Sequence, residues 1–62
     1  MKTENLTKAL HSVELLTSGL RAAHSDAVQA ENQFAEIVLL GLLADAAALQ
    51  DRVKQAQFAV MG

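Results

Sequence analysis

Residues Ile37–Leu49 read IVLLGLLADAAAL, and Asp45 is the single charge among them. On a helix this stretch is apolar on every side, the pattern of an element buried all round and not along one stripe. A chain of 62 residues has little else with which to surround it. The expected cover is a second copy of the same chain.

Size and composition point the same way. A chain of about 60 residues buries only ~60% of the surface its unfolded form exposes, so folds of this size usually need disulfides, a metal or oligomerisation. There is no cysteine, and two histidines are too few for a structural zinc site without carboxylate help. Oligomerisation is the device left. With no proline, three glycines, no Tyr or Trp, and apolar content dominated by Ala and Leu, the chain favours helix over strand throughout. A net charge of −2 implies no general affinity for nucleic acid or acidic lipid. The opening MKTENLTKALHS lacks the apolar core of a signal peptide, and no stretch is expected to reach the ~20 apolar residues of a membrane span, the longest candidate being Ile37–Leu49 with Asp45 inside it. A cytoplasmic protein without a membrane role is expected.

Working outward from the apolar stretch, a first helix is predicted over residues 4–23. Thr3 to Asn5 offer N-caps, and Glu4 suits the first turn. Leu6, Ala9, Leu10, Val13, Leu16, Leu20 and Ala23 recur at spacings of three and four and form one stripe, with Leu15 nearly opposite. The stripe runs through Gly19, so the helix does too. A break is predicted at His24-Ser25-Asp26, where Asp26 and Gln29 have the spacing of a capping box. A second helix then covers residues 27–60.

Three faces can be drawn on that second helix. Val38, Leu42, Leu49, Val53, Ala56 and Val60 form one, suited to packing on the first helix. Phe34, Ile37, Gly41, Ala44 and Ala48 form a second, mostly small, that permits close approach of another backbone. Leu39, Leu40, Leu43, Ala46 and Ala47 form a third, pointing away from both. The expected oligomer interface therefore comprises Phe34, Ile37, Gly41, Ala44 and Ala48 with Leu39 and Leu43. Helices of these lengths span about 30 Å and about 50 Å at 1.5 Å per residue, so Gln50–Gly62 would overhang the hairpin. Val53, Phe58 and Val60 on the overhang are a candidate partner surface. In the same register Lys8 comes within a turn of Asp45, which makes Lys8–Asp45 a candidate register-fixing polar contact; an interface edge that reaches water is the simpler reading of Asp45.

Charge is uneven. In residues 1–24 Lys2, Lys8 and Arg21 outnumber Glu4 and Glu14 by one, while in residues 25–62 Asp26, Glu31, Glu36, Asp45 and Asp51 outnumber Arg52 and Lys54 by three. That complementarity is weak and screened by salt.

Chemistry finds no foothold. There is no Ser/His/Asp or Cys/His arrangement, no glycine-rich phosphate loop and no cluster of metal ligands. His11 and His24 project about 220° apart on one helix and cannot meet on one ion. The five basic residues are scattered and lack an aromatic platform for bases. No catalytic, metal or cofactor site is expected.

The sequence thus predicts one helical domain over residues 1–62, an antiparallel hairpin that self-associates into a dimeric four-helix bundle. A monomeric three-helix bundle, broken near Gly41 to Asp45, is the alternative fold. The expected function is non-enzymatic protein–protein interaction, as a small adaptor, regulatory or co-chaperone-like subunit whose partners are itself and another helical protein. The alternatives are a subunit of an obligate heteromeric complex and a small Rop-like nucleic-acid-binding bundle.

Overall fold

The computed structural model describes residues 3–61, apart from the side chain of Met61. Lys2, counted above in the charge of the N-terminal segment, and Gly62, the far end of the expected overhang, lie outside the described residues. Two helices account for nearly all of the rest: α1, Glu4–Gln29, and α2, Gln33–Met61. They pack against each other as an antiparallel hairpin. Neither is interrupted by glycine. α1 runs through Gly19, and α2 runs through Gly41 to Asp45, so the broken three-helix alternative does not occur.

The turn falls six residues later than the capping-box spacing suggested. His24, Ser25 and Asp26 are all helical, and the Asp26 carbonyl accepts the Ala30 N–H at 2.9 Å. Cap-forming side chains weaken a helix without ending it when tertiary packing continues past them, and here His24 and Ala27 both lie against α2. The chain reverses instead over Ala30–Asn32. Glu31 takes a left-handed conformation, φ 54°, and its N–H donates to the Val28 carbonyl at 3.1 Å. The Asn32 N–H donates to the Ala27 carbonyl at 3.0 Å, which completes a left-handed C-terminal cap on α1. Asn32 then opens α2: its Oδ1 accepts the Ala35 N–H at 3.1 Å and its carbonyl accepts the Glu36 N–H at 3.0 Å. One residue ends one helix and the next begins the other.

Moving the turn equalises the helices, at 26 and 29 residues. The overhang therefore disappears. Val53 and Val60, placed on it by sequence, are half-buried against α1, whereas Phe58 is exposed.

The seam between the helices has its own regularity. On α1 the buried and half-buried set includes Leu6, Leu10, Val13, Thr17, Leu20, His24 and Ala27. On α2 it includes Glu36, Leu39, Leu43, Ala46, Gln50, Val53, Gln57 and Val60. Both series alternate steps of three and four, the 3.5-residue repeat of a coiled-coil seam. The two series are also mirror images about the turn. Ala27 falls level with Glu36, His24 with Leu39, Leu20 with Leu43, Thr17 with Ala46, Val13 with Gln50, Leu10 with Val53 and Leu6 with Gln57.

This seam bears out Val53 and Val60 as packing on α1 and shifts the rest of the expected assignment of α2's faces. Leu39, Leu43 and Ala46, predicted to point away, are the residues that pack on α1. Val38, Leu42 and Leu49, predicted to pack on α1, are exposed. The period explains the difference. A two-helix seam follows 3.5 residues per turn and admits Thr17, Gln50 and Gln57 at seam positions, whereas a search for apolar residues alone slides to the neighbouring stripe. On α1 the same slide promoted Leu16, which is half exposed, over Thr17, which is buried.

Candidate interaction surface

One hairpin buries little. Val13, Ala27, Ala46 and Thr17 are its buried residues, and no large side chain among the described residues is fully enclosed. The Cα radius of gyration is 14.4 Å, against about 10.6 Å expected of a compact chain of this length. The accessible surface is 4709 Å², against about 3,900 Å² for a folded monomer of this mass. Most of the exposed large apolar side chains lie on α2.

The predicted interface residues divide between two places. Phe34, Ile37, Gly41, Ala44 and Ala48 lie together on the outer edge of α2, opposite the seam, and all are exposed. Phe34 and Ile37 are 80% and 69% accessible. A Cβ built on Gly41 meets nothing within 4 Å, so that backbone is open to approach. Leu39 and Leu43 are not part of this edge. They lie in the seam, half-buried against α1.

The Lys8–Asp45 contact does not form. Lys8 lies level with Gln55, about 15 Å along the axis from Asp45 at 1.5 Å per residue, far beyond ion-pair range. That register followed from placing the turn too early. Asp45 lies level with Ser18 and is exposed.

Thr17, the buried polar residue of the seam, satisfies its hydroxyl locally. The Thr17 hydroxyl donates to the Val13 carbonyl at 2.9 Å, one turn back on the same helix. Thr7 and Ser12 do the same toward Thr3 and Lys8 at 3.1 and 3.0 Å. No buried side-chain nitrogen or oxygen among the described residues lacks a partner. His11 is exposed on α1; His24 is half-buried in the seam, one turn before the end of α1 and not at it.

Among the described residues there is no cleft and no grouping of three or more potential metal ligands. The apolar surface is what remains to be explained. By length and composition α2 over Gln33–Val60 is apolar enough to cross a membrane, with a mean hydropathy of 1.4 in its most apolar window. No protein-family model, no curated protein and no solved structure matches the chain.

Proposed function

We propose that the protein is a non-enzymatic protein–protein interaction module that works as a homodimer, two hairpins forming an antiparallel four-helix bundle in the cytoplasm. The observation that carries this reading is the asymmetry of the hairpin. α1 presents mostly polar residues outward, while α2 presents Phe34, Ile37, Val38, Leu40, Leu42 and Leu49 to solvent. An apolar surface of that extent on so small a chain marks an association site. A role as an adaptor or regulatory subunit follows from what is available: helix faces, and no concave pocket among the described residues.

A membrane-spanning α2 fits this pattern less well. Crossing a bilayer would carry Glu36, Asp45 and Gln50 into hydrocarbon and strip α1 from the seam that Leu39, Leu43 and Ala46 make with it. In a bundle, Asp45 stays on the outer surface and Glu36 at the turn end of the seam.

Thermal unfolding of the purified chain followed by circular dichroism across a hundredfold concentration range tests the reading. Dimerisation coupled to folding makes the midpoint rise with concentration. A fully helical chain whose midpoint does not move with concentration refutes it.

A further inference from the structure

The hairpin is a slab, with Cα extents of 46 × 15 × 9 Å, and therefore has two broad faces. Each is built from the residues that flank the seam on one side, one per heptad from each helix. On the first face α1 contributes Thr7, Glu14, Arg21 and Val28, and α2 contributes Gln33, Leu40, Ala47 and Lys54. That face is mixed, with three charged residues among its eight. On the second face α1 contributes Ala9, Leu16 and Ala23. From α2 it takes Leu42 and Leu49, flanked by Ala35 and Ala56. Every one of these positions is Ala or Leu.

We infer that a second copy of the chain covers this Ala/Leu face, so that the dimer forms broad face to broad face and leaves the Phe34–Ala48 edge of α2 free. The inference rests on the self-association proposed above and narrows its surface: of the exposed residues that carry that proposal it covers Leu42 and Leu49 and leaves Phe34 and Ile37 on the free edge. Three observations support it. Ala or Leu at each of these flanking positions, beside the apolar residues of the seam, widens the apolar stripe beyond what a two-helix contact requires, as in helices that face the core of a bundle. The face measures 46 by 15 Å, about 700 Å², close to the ~800 Å² per partner that stable interfaces bury. Finally, its relief is self-complementary. Leu16 lies level with Ala47, between Leu42 and Leu49, and alanines flank this trio toward both ends of the slab. Rotating one hairpin by half a turn about the long axis places Leu16 of each copy over the gap between Leu42 and Leu49 of the other. Leu16, Leu42 and Leu49 are 50%, 43% and 46% accessible in the single hairpin, which leaves side-chain surface for that contact.

The edge is the weaker candidate for the two-fold contact. It belongs to α2 alone, and past Ala48 the same stripe is interrupted by Asp51 and Gln55 before Phe58. It offers half the helix length to a second copy.

Sedimentation of Leu16→Lys, Leu49→Lys and Ile37→Lys beside the wild-type chain, with helicity recorded for each, tests the assignment. The expected result is that Leu16→Lys and Leu49→Lys weaken dimerisation at least about 30-fold, the effect of losing a central interface residue, while Ile37→Lys dimerises as wild type does. Dimers that survive both leucine substitutions and dissociate with Ile37→Lys overturn the face and leave self-association standing. A wild-type chain that is monomeric and helical at all concentrations removes self-association itself, and its binding to phosphatidylglycerol vesicles would identify lipid as the occupant. Because the chain has no cysteine, a second measurement survives any loss of folding in the lysine variants. Leu16→Cys chains mixed with Leu49→Cys chains form mixed disulfides under mild oxidation, faster than Ile37→Cys chains form their own; the reverse order contradicts the assignment.

Discussion

Thr17 of α1 and Ala46 of α2 lie level at the middle of the hairpin and are 7% and 3% accessible, the most enclosed level of the seam. Both are small, so the helices meet there without a large side chain between them. Burial in this protein is set by how closely the two backbones run, and only secondarily by the size of the residues in the seam. Enlarging Ala46 to Leu would force the helices apart at that level and cost about 1–3 kcal/mol, the usual penalty for overpacking. Urea unfolding of Ala46→Leu and wild type at one protein concentration measures it; an unchanged midpoint would mean that the middle of the seam is loose.

The turn supplies a second test. Glu31 holds a left-handed backbone that a residue with a Cβ adopts at some cost and glycine adopts freely. Glu31→Gly is therefore expected to stabilise the hairpin by about 1 kcal/mol. Asn32→Ala removes the side-chain acceptor of the Ala35 N–H and is expected to destabilise it by about 0.5–2 kcal/mol. The opposite signs at adjacent residues, read from the same unfolding curves, are specific to this turn. A turn at Ser25–Asp26 would leave both substitutions nearly silent.

Gly19 lies in the interior of α1 with nothing within 4 Å of where a Cβ would stand. Gly19→Ala should raise stability by about 1 kcal/mol through helix propensity alone. Any loss at this position would show that another chain approaches α1 closely there.

Lys8 and Asp45 provide a negative control. Their separation of about 15 Å along the axis predicts that Lys8→Ala and Asp45→Ala add in the double variant within about 0.3–0.5 kcal/mol. A larger coupling within a monomer would restore the earlier-turn register.

The fold was legible because its signals are repeated. Helix-forming composition, the absence of proline and the stripe around Leu6, Leu10, Val13 and Leu20 each point to a helical hairpin. What was not legible was its register. Asp26 and Gln29 imitate a capping box, whereas the operative signals, a left-handed Glu31 and an Asn32 cap, look unremarkable in a sequence where Glu31 also suits a first turn. The six-residue error propagated. It created an overhang and brought Lys8 near Asp45.

The candidate surface was half visible for a related reason. The stripe from Phe34 to Ala48 could be recognised because it is apolar and lies on one helix. The seam through Thr17, Gln50 and Gln57 could not be found by apolar content and needed the 3.5-residue period applied to both helices at once. Once that seam is drawn, the Ala/Leu face beside it follows, since its positions are fixed by those of the seam.

Sedimentation equilibrium of the unmodified chain from nanomolar to high micromolar concentration, with helicity followed in parallel, tests the central claim most directly. The account predicts a species of twice the chain mass whose dissociation on dilution is accompanied by loss of helix. A monomer that stays fully helical at micromolar concentration would contradict it, because the apolar face of α1 and α2 would then be stable in water with nothing to cover it.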